Sequence, residues 1–123
     1  MPIKFKRLLQ SFKYASKGIY YAVKEEQNMK IHFLLSFIVF IFSILFRISA
    51  YEALILIIAI SFVIAMEMIN TILERVMDII KPRMHPYVKH VKDMLAATVL
   101  IGALASIAVG AIIFIPKILE LLT

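Results

Sequence analysis

Three long apolar stretches, separated by short polar ones, dominate the hydropathy pattern of this chain. The first covers residues 31–46 and is interrupted only by His32, Ser36 and Ser43. The second starts at Ala53, carries no charge through Met66, and is broken by Glu67. Its helical spacing nevertheless continues through Met68, Ile69, Ile72, Leu73, Val76, Ile79 and Ile80, and Pro82 is expected to end it. The third, residues 94–115, has no charge at all, and Pro116 is expected to break it. Each of these stretches approaches or exceeds the ~20 residues that an α-helix needs to cross the hydrocarbon core of a bilayer.

The N-terminal segment reads differently. Phe5, Leu8, Leu9, Phe12, Ala15, Ile19 and Val23 recur at spacings of three and four, with Lys4, Arg7, Lys13, Lys17 and Lys24 between them. That spacing predicts a basic amphipathic helix lying in the membrane interface. A soluble amphipathic helix needs another soluble domain to pack on, and the chain offers none. The expected fold is therefore all-α and integral to the membrane. It is a single domain, 1–123, comprising an interfacial helix over 1–30 and transmembrane helices over 31–47, 52–80 and 93–115. Arg47–Glu52 reads as a turn, and residues 81–92 as a polar, cationic loop.

Composition narrows the class further. Apolar residues make up 63% of 123 residues, above the ~45–50% of soluble domains. A small soluble core cannot hide that much apolar surface. Disorder needs low hydrophobicity, and the absence of cysteine excludes disulfides and thiolate metal sites. Yet 18% of the chain is charged, with a net charge of +6. Lys4, Lys6, Arg7, Lys13, Lys17, Lys24 and Lys30 precede the first span, and Lys81, Arg83, Lys89 and Lys92 lie between the second and third. The first loop holds only Arg47 and the tail only Lys117. The cationic bias puts the N-terminus and second loop in the cytoplasm, and the first loop and C-terminus outside. Gly102, Ser106 and Gly110, four apart, suit close packing of helices.

The chemistry concentrates on the second span. At ~100° per residue, Glu67, Asn70, Glu74 and Asp78 fall within a stripe of roughly 80°, and Arg75 points away from it. A charged helix end leaving a membrane is ordinary, so Asp78 alone means little. Glu67 is harder to set aside, because an ionisable group inside an apolar run is costly and usually functional. Clustered carboxylates repel one another unless a cation or proton lies among them, and oxygen-only ligands favour Mg²⁺. Glu26, just before the first span, and Lys92-Asp93, just before the third, lie at the same membrane face. Carboxylates for a metal, a lysine for an anion and a spare carboxylate as base form a phosphoryl-transfer set. With three glycines and no Walker or kinase Gly-rich loop, soluble ATP-binding folds are excluded. His32, His85 and His90 have no partner at i+3 or i+4 that makes a zinc site, and read as interfacial polar residues. The aromatic residues around Phe12, Tyr14, Tyr20 and Tyr21 read as interfacial anchors rather than a nucleotide-stacking box, with Tyr14 the exception to test.

The run Glu67-x-x-Asn70-x-x-x-Glu74-x-x-x-Asp78, followed by His85 and Lys92-Asp93, resembles the signature of the prokaryotic diacylglycerol kinase family, small membrane kinases unrelated to soluble ones. The resemblance extends from Arg7 to the third span. The segment Glu26-Gln-Asn28-Met-Lys-Ile-His32, the pair His85-Pro86 and the ending Ile113-Phe-Ile-Pro116-Lys117 are similar to the branch that phosphorylates undecaprenol rather than diacylglycerol. His32 stands where the diacylglycerol branch tends to carry an acid. The resemblance implies Glu67 as the general base acting on the lipid hydroxyl, and Glu26 and Glu74 as metal-binding carboxylates that also hold the nucleotide. It implies phosphate or nucleotide contacts from Asn70, Asp78, Lys92 and Asp93, and further ones from Arg7, Tyr14 and the Arg83–His85 stretch. It also implies ATP and Mg²⁺ as donor and metal, and a homotrimer with sites between subunits.

Physical expectations agree with those roles. A lipid hydroxyl stays near the interface, so its base belongs at the inner edge of the apolar layer, while ATP stays in water. Seven residues of helix, Glu67 to Glu74, span ~10 Å, a suitable distance between the hydroxyl and metal-bound phosphates. Two other classes fit the sequence less well. A small ion-coupled transporter subunit would carry its acids near the midplane between repeats, and no repeat is visible. A non-enzymatic membrane adaptor would leave the Glu67 stripe and Lys92-Asp93 unexplained.

Overall fold

The computed structural model describes residues 2–80 and 86–123 and is helical almost throughout. Four helices follow one another: α1 (Phe5–Glu25), α2 (Gln27–Leu45), α3 (Ala50–Ile80) and α4 (Pro86–Leu122). Among the described residues there is no strand. The last three helices are long and apolar enough to cross a membrane. At 1.5 Å per residue, the 31 residues of α3 run about 46 Å. That exceeds a ~30 Å hydrocarbon core, so part of α3 stands clear of it.

The outer faces of α2–α4 are apolar and open. Ile57 is 62% exposed, Ile107 67% and Ile112 74%. Such a surface is stable only against lipid or another protein face. The serines of α2 are satisfied locally: Ser36 Oγ donates to the His32 carbonyl and Ser43 Oγ to the Val39 carbonyl, each at 2.7 Å. No apolar exchange drives helices together in lipid, so close packing must do it. Gly102 lets α4 approach α3 closely, where an added Cβ would stand 3.3 Å from the Phe62 ring. Ser106 Oγ then donates to the Ala59 carbonyl of α3 at 3.2 Å. Gly110 differs from this packing pattern, because nothing lies within 4 Å of a Cβ built there. It borders a groove instead.

The best-packed region is the end of the bundle near the α2–α3 turn. Leu56, Ile113 and Phe114 are buried together, with Val39, Phe46, Ile48 and Val109 against them. Phe42, Phe46 and Phe114 meet edge-on or tilted at 6.0–6.3 Å between centroids. The turn itself is well specified. Arg47 takes left-handed backbone (φ 50°), with Arg47 N–H donating to Ile44 O and Ile48 N–H to Ser43 O. This is a Schellman ending with arginine where glycine is usual. Ser49 and Glu52 then form a reciprocal capping box at the start of α3, and Glu52 Oε1 also meets Lys117 Nζ at 3.1 Å.

Three expectations about element boundaries need correction. The N-terminal helix does not run unbroken over 1–30: Glu26 is extended (φ −111°, ψ 121°), and α2 begins at Gln27. Residues 86–92 are not loop but the first turns of α4, with Pro86 at the first helical position, where its missing N–H costs nothing. Pro116 does not break the third span, since α4 continues to Leu122. A proline removes one backbone hydrogen bond, and apolar surroundings offer an extended chain no water to replace the others, so the helix persists. Pro82, the expected terminator of α3, lies outside the described residues.

Candidate functional site

The polar residues of α3 gather at the end of the bundle opposite the aromatic core. Glu67 is 2% exposed. Asn70 and Thr71, one turn further on, are also buried. The helix places Glu67, Asn70, Glu74 and Asp78 on one face, as their spacing requires. The burial is unusual because it is incompletely matched. Glu67 Oε2 and Asn70 Oδ1 have no hydrogen-bond partner among the described residues. Unpaired buried oxygens are expensive, and both of these are acceptors waiting for a donor.

His32 of α2 comes nearest to Glu67, with Nε2 3.6 Å from Oε2. That lies within ion-pair range and just beyond hydrogen-bond reach. His32 is thus not a bland interfacial residue, contrary to the sequence-based expectation. A histidine of α2 and a glutamate of α3 are far apart in sequence, and no local spacing signals their meeting.

Glu74 is half-buried and lies in the electrostatic field of Glu26, Glu67, Asp78 and Lys92. Three acids and one cation around a fourth acid leave an excess of negative charge that suits a cation. Lys92 Nζ meets Asp78 Oδ1 at 2.6 Å, joining α4 to α3. Glu26 is held by Arg75, whose Nη2 lies 2.8 Å from Glu26 Oε1 and 3.0 Å from Glu25 Oε2. Sequence reasoning gave Arg75 no task. Pointing off the stripe, it reaches the break between α1 and α2 and ties both to α3. The pair of adjacent acids at that break was the one available signal.

The remaining expected residues fall less closely together. Arg7 and Tyr14 lie on the exposed surface of α1, and neither meets the acids within a single chain. Asp93 is exposed on α4. His85 and Arg83 lie outside the described residues. Among the described residues, no three acid or histidine side chains converge tightly enough to hold a metal. Mg²⁺, however, is commonly held by one or two carboxylates together with substrate phosphates and water. Glu26 and Glu74 are close enough to interact electrostatically.

Two clefts flank the stripe. One, about 470 Å³, separates α1 from α3 and is lined by Gly18, Tyr21, Ala22, Met68 and Ile72, with Glu25 and Arg75 also on its wall. The other, about 280 Å³, runs between α2, α3 and α4. Its lining includes His32, Val39, Leu56, Val63, Ser106 and Gly110. It therefore extends from the residue beside Glu67 down the apolar interior.

Comparison with known proteins identifies the family. Residues 13–114 match the family model described as prokaryotic diacylglycerol kinase. An undecaprenol kinase of Bacillus subtilis is 32% identical over 112 residues, covering 91% of each chain. A diacylglycerol kinase of Synechocystis is 33% identical over 116 residues, covering 94% of this chain and 66% of that one. No solved structure matches the chain significantly. With a family model spanning most of its length, a relative matched almost end to end and three membrane-competent helices, this chain belongs to the prokaryotic diacylglycerol kinase family.

Proposed function

We propose that this chain transfers the γ-phosphoryl group of ATP to undecaprenol, making undecaprenyl phosphate, at the cytoplasmic face of a bacterial plasma membrane. Membership of the family makes it a lipid kinase. The observation that carries the finer reading is Glu67, a buried carboxylate with an unpartnered oxygen, beside His32 at the head of an apolar groove. A lone alcohol on a long hydrocarbon chain fits that combination: the chain enters the groove and the hydroxyl donates to a carboxylate. Glu67 takes the hydroxyl proton, the alcohol oxygen attacks the γ-phosphorus, and ADP leaves. A base placed in this way contributes on the order of 10²–10⁴-fold to rate.

Further along α3, Glu74 and Glu26 are the side chains to hold Mg²⁺ with the nucleotide phosphates, and the ion would spread the negative charge that builds on the transferring group. Asn70, Asp78 and Lys92 are the side chains for phosphate or ribose contacts, Lys92 joining Asp78 across α4 and α3, and the family resemblance adds Asp93, Arg7, Tyr14 and His85. Lys92 exchanges Asp78 for phosphate when the nucleotide arrives. The exposed apolar faces of α2–α4 and the unfinished site of a single chain favour a homotrimer with sites shared between neighbours. The density of Lys and Arg before α2 and between α3 and α4 favours a cytoplasmic N-terminus and active site, with the C-terminus outside.

A second reading, phosphorylation of diacylglycerol to phosphatidic acid, has support from the Synechocystis relative. The deciding experiment is competition. The purified chain is reconstituted with labelled ATP and equal amounts of undecaprenol and diacylglycerol. Undecaprenyl phosphate is the expected main product, and a majority of phosphatidic acid would reverse the assignment. Gly110→Leu sharpens it, because a side chain there enters open space bordering the groove. The variant is expected to lower turnover of undecaprenol more than that of a short prenyl alcohol.

A further inference from the structure

His32 has no task in the phosphoryl transfer described above, yet it is the group placed closest to the base. Its side chain is only 17% exposed, and its Nε2 lies 3.6 Å from Glu67 Oε2, across from the buried Asn70 and Thr71 of α3's own next turn. Ser36, one turn along α2, gives its hydroxyl proton to the His32 carbonyl rather than to the imidazole. Glu67 Oε2, the oxygen nearest His32, is the one that lacks a partner. The 3.6 Å separation closes to hydrogen-bond length with a small side-chain rotation, and site hydrogen bonds are commonly long before substrate is bound. His32 also lines the apolar groove.

We infer that His32 is a positioning residue for Glu67: its Nε2–H donates to Glu67 Oε2, which fixes the carboxylate so that the other oxygen, Oε1, faces the hydroxyl of a lipid alcohol whose chain lies in the groove. The inference rests on the lipid-kinase reading for its kinetic part only. His32 neither gains nor loses a proton in the reaction; the hydroxyl proton passes to Glu67. The chemistry also explains why one side chain can serve both contacts. An imidazole has a flat apolar body that can border the groove and an N–H that can hold the acid. A mobile carboxylate in the same place would have to be reoriented at every turnover, and a misplacement of about 1 Å can cost on the order of 10²-fold.

The test compares His32→Ala with His32→Gln in the full-length chain in lipid. Glutamine carries its amide nitrogen near the position of Nε2 and keeps the donor. His32→Ala is expected to lower kcat about 10- to 100-fold with the KM for ATP unchanged. His32→Gln is expected to recover turnover to within a few-fold of the parent chain. Equal loss in both variants, or no loss in either, overturns the inference. A fall confined to nucleotide KM overturns it as well. A second measurement does not depend on activity. The ¹⁵N resonance of His32 Nε2 is expected to move in Glu67→Gln, and an unmoved resonance overturns the contact. A parent chain that phosphorylates no lipid alcohol defeats the kinase reading, and the resonance still decides whether the pair exists.

Discussion

The two ends of α3 bury side chains for opposite purposes. Near its start, Leu56 is enclosed by Ile113 and Phe114, the aromatic rings of α2 and α4 interlock, and the turn before it satisfies its own backbone. Eleven and fourteen residues after Leu56 the helix buries Glu67 and Asn70, each with an oxygen that lacks a hydrogen-bond partner among the described residues. The first end holds the helices in register. The second is expensive to fold, and its cost is offset only by donors brought to those oxygens, from His32 or from a substrate. In a bilayer this division is sharper than in water, because apolar burial between helices yields little transfer energy and packing must supply the rest.

The widest separation of the two ends should come from Glu67→Gln. Glutamine keeps the shape and removes the basic oxygen. Turnover is expected to fall about 10²–10⁴-fold, while the thermal midpoint in detergent holds or rises because a buried charge is gone. Labelled-ATP assays beside thermal unfolding check both. Retained turnover removes Glu67 as base, and a collapsed midpoint merges the two ends into one. Phe114→Ala is the mirror experiment. In a soluble core it would cost about 3–5 kcal/mol. In lipid the transfer part largely drops out, and about 2 kcal/mol is expected from lost packing. Activity per folded molecule should stay near that of the parent chain.

Much of this was legible in the sequence, for reasons that differ by region. The spans were readable because an apolar run about 20 residues long has few alternatives to a helix in lipid. The stripe was readable because helical geometry alone puts Glu67, Asn70, Glu74 and Asp78 together. The position of Pro116 misled, since a proline that would end a helix in water is tolerated where no water competes for the backbone. Residues 86–92 misled because their charge resembles a loop, although Val88, Val91 and Leu95 keep helical spacing. The pairing of His32 with Glu67 and of Arg75 with Glu26 was not legible, because each joins two elements that only the packed bundle brings together.

The metal side of the site offers an intermediate effect. Glu26 and Glu74 are expected to share an ion although Arg75 holds Glu26. Glu26→Gln and Glu74→Gln should each raise the Mg²⁺ concentration for half-maximal rate about tenfold, equivalent to ~1.4 kcal/mol. A titration of rate against Mg²⁺ reads this directly, and a flat response in both variants would dismiss the metal role. Neither change should disturb the aromatic end.

The smallest effect belongs to the start of α3. Ser49→Ala removes the hydroxyl that accepts the Glu52 N–H at 3.2 Å, one half of the reciprocal cap. The other half, Ser49 N–H to Glu52 Oε1 at 3.0 Å, survives because it uses the backbone of residue 49. Loss of a serine cap costs about 1 kcal/mol, and the retained half and the Glu52–Lys117 contact place this case at the lower side of that range. The thermal midpoint should fall by a few degrees. Turnover should not change, because the cap lies at the far end of α3 from Glu67. A variant that lost activity with its fold intact would mean that strain at the turn reaches the base through α3, and the two ends could no longer be treated as separate.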